Sequence, residues 1–260
     1  MKNKQVAFTI ADRSNEKYLK MFVNSLRKWH TEEELPLVVI DQARIDKELR
    51  KDPAFFYRSA PKIARELFKN YDLVLKFDCD QLITGKLDHI LYKWDDYEVG
   101  TVLNINRVDP PIYGFVNFGT IAPNEYYNNG LVALRSERFI ENWWKLCNSV
   151  HFDRMPMREQ GFLNVLCHYG DYKVRCFDRF DPLHRISTWN GLIAKGEGLR
   201  MKIVDNELIL PKGENNYPDM DVVVKAYHWA GGANPNKMNY RTEFNEDVIK
   251  WLDWLVSDGK

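Results

Sequence analysis

Residues 71–80, YDLVLKFDCD, place an apolar run directly before two carboxylates. Residues 73–77 have the length and the composition of a buried strand, and Asp78 and Asp80 follow at once. Ligands of open α/β sheets bind beyond the carboxyl ends of the strands. The stretch therefore predicts a core strand whose end presents an acidic pair to a ligand site.

The segments around this strand alternate between strand and helix patterns. Residues 6–11 and 36–41 have the apolar character of buried strands, whereas residues 15–29 and 61–70 carry apolar side chains at helical spacing. Alternation of this kind is typical of a mainly parallel sheet that is covered by helices on both faces. The predicted fold class is therefore α/β.

The second half of the chain continues the pattern less regularly. Strands are expected at 98–103, 130–134 and 222–227, helices at 137–150, 159–168 and 244–256, a loop at 106–126, and loops with short segments at 181–221. No repeat or linker divides the sequence. We therefore expect a single domain over residues 1–260, with a nucleotide-binding half (1–105), an acceptor and sugar-binding half (106–240) and a C-terminal helix (241–260).

Composition limits the partners and the location. Lys plus Arg and Asp plus Glu are balanced at 37 each, so the basic footprint of a nucleic-acid-binding protein is missing. The four cysteines show no CxxC spacing and predict reduced thiols in a cytoplasmic protein. The apolar run near the N-terminus is too short to span a membrane. Peripheral membrane contact by the C-terminal helix stays open, and the oligomeric state is not predicted.

The acidic pair calls for a cation. On extended backbone, Asp78 and Asp80 point the same way with carboxylates about 6–7 Å apart, and at an effective dielectric near 20 they repel by roughly 2.5 kcal/mol. A divalent ion relieves this repulsion, and oxygen ligands with open positions for phosphates suit Mg²⁺ or Mn²⁺. The alternative is that the acids only solvate the strand end or form Asx turns.

Two other functions share this pattern. In haloacid-dehalogenase-like phosphatases a strand-end acid corresponding to Asp78 is a phosphorylated nucleophile, and a small residue soon follows. Here Gln81, Leu82 and Ile83 follow, with two strand–helix units ahead of the motif. A phosphatase or nucleotidyltransferase is therefore the second hypothesis. A catalytically inactive nucleotide-sugar binder is the third.

Five segments in order carry a resemblance to a known family: PKIARELF, YDLVLKFDCDQLITGKLDHIL, YYNNGLVALRSERF, EQGFLNVL and YHWAGG. Together they resemble the GT-A fold glycosyltransferases, most closely family 8, which includes glycogenins and bacterial lipopolysaccharide galactosyltransferases. The resemblance covers residues 6–237. It implies the GT-A fold and transfer of a sugar from a nucleotide sugar to a hydroxyl acceptor such as a glycan, with retention of anomeric configuration.

The resemblance also implies residues for the metal and the phosphates. Asp78, Asp80 and His228 occupy the positions that hold Mn²⁺ (or Mg²⁺) against the diphosphate. Gly231 would let backbone amides approach phosphate oxygens, and Lys237 would neutralise them. Lys237 lies a few residues farther from the histidine than is usual in the family.

Further positions fall on the nucleotide. Thr9, Ala11 and Asp12 match the first-strand segment that contacts base and ribose, and uridine is the expected base, which makes UDP the expected nucleotide. The spacing from this segment to Tyr18 is one residue longer than usual. Cys79 lies between the two acids and is also expected to contact the nucleotide.

The sugar is expected to meet a second group of side chains. Arg65 matches an arginine that contacts donor hydroxyls, and Lys62 lies near it, although a surface cation is the alternative for Lys62. Asn128 matches an asparagine whose amide can both donate to and accept from a sugar hydroxyl. Glu159 and Gln160 stand where the family commonly has Asp-Gln beside the anomeric carbon, and which of them reaches the sugar is left open.

Overall fold

The structure is a computed structural model that describes residues 4–92, 96–104, 121, 125–155, 157–177, 186–190, 200–213, 220–229 and 239–258. For residues 186–190 it describes the backbone, and for Tyr57 likewise.

The first sheet is built around the strand that ends in the acids. Its strand order is β2-β1-β3-β6-β5-β7. The strands are β1 (Gln5–Ile10), β2 (Leu37–Ile40), β3 (Leu73–Asp78), β5 (Val99–Leu103), β6 (Tyr127–Leu134) and β7 (Val174–Cys176). The pairings β1–β2, β1–β3 and β5–β7 are parallel, and β6 runs antiparallel to both β3 and β5. This confirms the mixed, mainly parallel sheet.

The second sheet was only partly anticipated. It consists of β4 (Gln81–Ile83), β8 (Ile186–Asn190), β9 (Lys202–Val204), β10 (Glu207–Leu210) and β11 (Val222–His228). β11 pairs antiparallel with β4 and β10 and parallel with β8. The sequence predicted β11, but over 181–221 it predicted only loops and short segments, without assigning β8, β9 or β10 as strands. Segments of three to five residues form strands here through pairing, and a pattern that short has no periodicity of its own.

The helices are α1 (Glu16–Trp29), α2 (Gln42–Leu49), α3 (Phe55–Leu67), α4 (Asp88–Leu91), α5 (Glu137–Cys147), α6 (Glu159–Tyr169) and α7 (Glu246–Val256). The expected start of α3 at Pro61 is wrong, because Pro61 lies inside that helix. Proline is most common in the first helical turn, and here it lies near the middle of the helix.

Local signals explain where several helices begin. Asp41, Ser136 and Asn245 cap α2, α5 and α7, and the side chain of each accepts a hydrogen bond from the backbone N–H three residues on. The sequence shows the capping residue of α2, but this helix is short and polar and has no helical pattern of apolar residues.

Hydrophobic clusters lie on both faces of the first sheet. One packs strand residues against α2, α3, α5 and α6, and the other packs them against α1 and α4. Ile83 of β4 and Ala226 of β11 belong to the second cluster together with Leu75 and Phe77 of β3. The two sheets therefore share part of one core, and helices cover both faces as predicted. Among the helices of the described ranges, none has the length and apolarity needed to cross a bilayer.

Candidate metal and nucleotide site

The acidic pair lies where the two sheets meet. Asp78 is the last residue of β3, and residues 79–80 form a turn that leads into β4. β4 pairs with β11 so that Gln81 faces His228, the last residue of that strand. The N–H of Trp229 also donates to the carbonyl oxygen of Asp80 at 3.1 Å. The end of β11 is thus fastened to the turn that carries the acids.

Three ligand-type side chains converge at this junction. His228 Nε2 lies 3.2 Å from Asp80 Oδ1 and 3.7 Å from Asp78 Oδ2. One ligand atom from each residue lies within 4.8 Å of the others. Asp80 and His228 are buried, whereas 39% of the Asp78 side chain is exposed. The three could hold a metal ion with one open side. Their convergence depends on the turn at 79–80, not on the continuous extended backbone that we expected.

The His228 ring packs against a glycine of β6. A Cβ atom on Gly130 would lie 2.3 Å from His228 Cε1 and 2.8 Å from Nδ1. The carbonyl oxygen of Gly130 accepts a hydrogen bond from Gln81 Nε2 at 2.6 Å. Glycine is required here because the backbone of β6 touches the imidazole directly. No local pattern in the sequence predicts this contact, since it joins residues almost a hundred positions apart.

A buried lysine lies beside Asp78. Lys76 Nζ forms an ion pair with Asp78 Oδ1 and donates to the carbonyl oxygen of Asn129 at 2.5 Å. Lysine is almost never fully buried without a partner. The sequence carries a signal of this pairing. A lysine lies inside an apolar strand, two residues before an aspartate, and side chains two residues apart lie on the same face of a strand.

The start of α6 approaches the same region. Gln160 Oε1 accepts a hydrogen bond from the N–H of Asn129 at 3.2 Å, and Asn129 Nδ2 donates to Glu159 Oε1 at 3.4 Å. Gln160 is buried, and its Nε2 has no hydrogen-bond partner within the part of the chain that the structure describes. Buried amide nitrogens normally have a partner. This donor is therefore suited to a ligand oxygen.

The electrostatics of Glu159 are unusual for a carboxylate. Burial raises the pKa of Glu159 to about 7. The charge of Lys76 lowers this pKa, and the charge of Asp78 raises it. A carboxyl group whose pKa lies near neutrality can hold or release a proton at physiological pH. Perturbation of this kind is typical of functional sites.

The backbone before α6 is held in a strained form. Met157 and Arg158 have φ values of 58° and 49°, in a region that residues with side chains rarely adopt. Trp143 Nε1 donates to the carbonyl oxygen of Glu159 at 2.8 Å and fixes the helix directly after this bend. Strain of this kind clusters at functional sites.

Comparison with known proteins identifies the fold. No protein-family model and no curated protein sequence matches the chain. Among solved structures, the galactosyltransferase LgtC in complex with donor and acceptor sugar analogues is similar over 98% of this chain and 98% of its own, with 16% identity and a TM-score of 0.55. The chain has the fold of the GT-A glycosyltransferases.

Two further structures share this GT-A fold. The bifunctional glycosyltransferase WbbM is similar over 99% of this chain at 13% identity and a TM-score of 0.57, and the chain spans half of its length. An active-site mutant of LgtC, in which glutamine is replaced by glutamate, is similar over 98% of this chain at 15% identity and a TM-score of 0.52. The fold implied by the sequence resemblance is thereby confirmed.

Within the GT-A fold, the expected base-binding segment spans the end of β1, with Thr9 in the strand and Ala11 and Asp12 directly after it. Thr9 is buried, and its Oγ1 has no hydrogen-bond partner among the described residues. Ala11 is buried and its N–H donates to Ile40 O at 3.0 Å. Asp12 Oδ1 accepts from Ser14 Oγ at 2.6 Å and Asn15 Nδ2 at 2.7 Å. Partial burial opposes ionisation of Asp12, but these hydrogen bonds outweigh it and lower its pKa. Asp12 thus has a structural role besides the expected one.

The two expected sugar-binding cations have partners on the helices. Lys62 Nζ lies 2.7 Å from Glu48 Oε2 on α2, and Arg65 forms an ion pair with Glu141 on α5. Their described contacts are with these carboxylates, and the structure does not bring either cation to the Asp78 group. The helical pattern of the sequence predicts the spacing of the two cations, but it does not predict which acids on neighbouring helices they contact.

The remaining expected residues divide into two groups. Asn128 accepts from the N–H of Gly130 at 2.6 Å and donates to Asn104 Oδ1 at 2.9 Å, so both ends of its amide support β6. Cys79 is buried within the turn between the acids. Gly231 and Lys237 lie outside the described residues.

Proposed function

We propose that the chain is a metal-dependent glycosyltransferase that moves a sugar from a UDP-sugar to a hydroxyl of a glycan, with retention of anomeric configuration. The observation that carries this proposal is the convergence of Asp78, Asp80 and His228 at the junction of the two sheets of a GT-A fold. The donor and acceptor analogues bound to LgtC support the same class of reaction.

The three side chains fit a divalent cation. Two carboxylates suit Mn²⁺ or Mg²⁺, the imidazole favours Mn²⁺ as the transition metal of the two, and three protein ligands leave coordination positions for a diphosphate. The exposed side of Asp78 gives such a substrate access. When bound, the cation would stabilise the negative charge that grows on the leaving diphosphate.

We place the sugar against the start of α6. The unpartnered Nε2 of Gln160 can donate to a sugar or phosphate oxygen, and the carboxyl group of Glu159 lies beside it. The anomeric carbon becomes oxocarbenium-like as its bond to phosphate stretches, so an amide oxygen or carboxylate near it is favourable. The glutamine-to-glutamate active-site mutant of LgtC supports a role for Gln160. Retention is compatible with attack from the face of the leaving phosphate or with a brief covalent intermediate.

The nucleotide would lie along the ends of β1 and β3. In this proposal Thr9, Ala11 and Asp12 meet the uridine, and Asn128 supports the sugar pocket. Cys79 and Gly231 would lie near the diphosphate, together with Lys237. Free cysteines at all four positions favour a reducing, cytoplasmic compartment.

The test is a thermal-shift panel of UDP, GDP, CDP and ADP and their sugars, each with and without Mn²⁺, followed by assays of donor turnover. Ligand at about 100 times its Kd adds about 2.7 kcal/mol of stability, which raises Tm by several degrees. We expect the largest shift with UDP and Mn²⁺, and its loss in Asp80→Asn. Asp72→Asn is the matched control, because Asp72 is exposed before the opposite end of β3.

Each other outcome has a defined meaning. A panel with no Mn²⁺-dependent shift contradicts the proposal. Binding without transfer or donor hydrolysis would indicate a catalytically inactive binder. A phosphorylated Asp78 together with release of inorganic phosphate from monoesters would instead indicate a phosphatase.

A further inference from the structure

A buried ammonium group lies directly beside the proposed metal site. Lys76 is on β3, two residues before Asp78, and forms an ion pair with Asp78 Oδ1. Its Nζ also donates to the carbonyl oxygen of Asn129 on β6. Since 6% of the Lys76 side chain is exposed, this positive charge is fixed in place and shielded from water.

The two oxygens of the Asp78 carboxylate have different neighbours. Oδ1 faces Lys76, whereas Oδ2 lies 3.7 Å from His228 Nε2, on the side of Asp80. A cation between Asp78, Asp80 and His228 would therefore meet one oxygen of Asp78 and not both. The cation would also lie close to the Lys76 ammonium group, whose position is fixed.

We propose that the charge of Lys76 weakens divalent-cation binding by the protein alone and makes it depend on a bound nucleotide diphosphate. The inference rests on the proposed function. Two carboxylates attract the cation, and the fixed charge of Lys76 offsets one of them. The diphosphate supplies the missing negative charge, so cation and diphosphate strengthen each other's binding.

A purely structural role for Lys76 makes the opposite prediction. If the ion pair only joined β3 to β6, its removal would loosen Asp78 and leave cation affinity unchanged or lower. A gain in affinity on removal of a buried lysine is expected only when its charge opposes the cation.

The test measures binding of Mn²⁺ to the full chain by EPR of the free aquo ion, without nucleotide and at saturating UDP. Lys76→Met removes the charge, and Lys76→Gln removes it while keeping a hydrogen-bond donor for Asn129. Lys225→Met is the matched control, because the Lys225 side chain is 13% exposed and pairs with Glu207 in the second sheet. Thermal unfolding confirms that each variant is folded.

We expect both Lys76 variants to bind Mn²⁺ at least tenfold more tightly than wild type without UDP, which equals about 1.4 kcal/mol. UDP should then strengthen Mn²⁺ binding less than it does in wild type. Unchanged or weaker binding by Lys76→Gln, with a wild type that binds Mn²⁺ and UDP together, overturns the role of Lys76 and leaves the proposed function standing. An equal gain in Lys225→Met also overturns it, as an effect of net charge. A wild type that binds Mn²⁺ under neither condition overturns both.

Discussion

Contacts with neighbouring residues leave little space around the His228 ring. Gly130 meets the imidazole on one side, and Asp80 Oδ1 lies 3.2 Å from Nε2. Protein interiors are packed so closely that an added methyl group forces neighbouring atoms to move. The orientation of the ring is therefore set by the absence of a side chain on Gly130.

Gly130→Ala should weaken Mn²⁺ binding by about tenfold or more, because the methyl group would displace the His228 ring from the acids. The matched control is Gly100→Ala, whose Cβ would meet Phe177 at 2.3 Å in the first sheet. Both variants should lower Tm, with overpacking costs of about 1–3 kcal/mol. Isothermal titration with Mn²⁺ and UDP checks the difference. Equal metal affinity in the two variants would contradict the assigned contact.

The sequence predicted some site residues and missed others for identifiable reasons. Asp78 and Asp80 were predictable because a strand-end pair is a local pattern, and His228 followed from the family resemblance. Lys76 and Gly130 were missed because their importance comes from contacts with residues on other elements. For the same reason the neighbours of Lys62 and Arg65 could not be foreseen.

Between elements, Asn164 joins α6 to β6. Its Oδ1 accepts from the N–H of Tyr127 at 2.6 Å, and its Nδ2 donates to the carbonyl oxygens of Tyr127 at 2.8 Å and Gln160 at 2.9 Å. The side chain is fully buried. This clamp positions the first turn of α6, and with it Glu159 and Gln160, against the strand.

Asn164→Ala should lower the free energy of unfolding by about 2–4 kcal/mol, because part-buried backbone groups of Tyr127 and the buried carbonyl group of Gln160 lose their partner. It should also reduce kcat, since Gln160 loses its support. Asn142→Ala is the control: Asn142 donates to the Tyr172 hydroxyl, away from the site, and its loss should cost less than about 1.5 kcal/mol. Urea unfolding and turnover assays measure both effects. A stable, fully active Asn164→Ala would refute the clamp.

The end of α1 carries a pH-sensitive contact. His30 is buried, and its Nε2 accepts a hydrogen bond from the N–H of Leu87 at 3.0 Å. Burial lowers the pKa of His30 from 6.5 to about 4. The folded state therefore favours the neutral ring, and its contribution to stability is full above pH 6.5 and is lost as the pH falls from 6.5 to about 4.

Wild type should lose about 2 kcal/mol of stability through His30 between pH 7 and pH 5, at about 1.36 kcal/mol per pH unit below 6.5. His30→Gln keeps an acceptor for Leu87 but does not titrate, so its stability should fall less over this range. His151→Gln, at an exposed position, should behave as wild type. Urea midpoints at the two pH values decide the matter. The same loss in His30→Gln as in wild type would rule out this contribution.

Long, patterned elements were predicted well, and short ones were not. α1, α5 and α6 have a helical hydrophobic period, and β1 and β3 are continuous apolar runs of strand length, although boundaries moved by a few residues. β4, β8, β9 and β10 have no such period, because strands of three to five residues depend on β11 for their hydrogen bonds. Of the three site residues, His228 lies on this second sheet and Asp80 lies in the turn that leads into it, so the position of the site could not be derived from local pattern.

At the scale of the whole molecule, the two sheets share a core. Ile83 and Ala226 of the second sheet pack with Leu75 and Phe77 of the first, and α1 contributes Phe22 to the same cluster. Separating the sheets would expose this apolar surface, at about 25 cal/mol per Å². The structure therefore favours unfolding of both sheets together.

Urea unfolding followed by far-UV circular dichroism and by tryptophan fluorescence should give coincident curves with one midpoint. Trp143 reports on the first sheet's helices and Trp229 on the second sheet, so the fluorescence covers both parts. Two separated transitions would show that residues 1–260 do not form the single domain predicted from the sequence.

In the proposed function, Asp78, Asp80 and His228 together bind a divalent cation that carries a nucleotide diphosphate. The most direct measurement is anomalous diffraction at the manganese edge from crystals grown with Mn²⁺ and UDP. We predict one strong peak in the site, about 2.0–2.6 Å from an oxygen of each acid and from His228 Nε2, with the diphosphate on the exposed side of Asp78. A peak that lies elsewhere, or UDP bound in the site with no peak beside these three residues, would contradict their assignment as metal ligands.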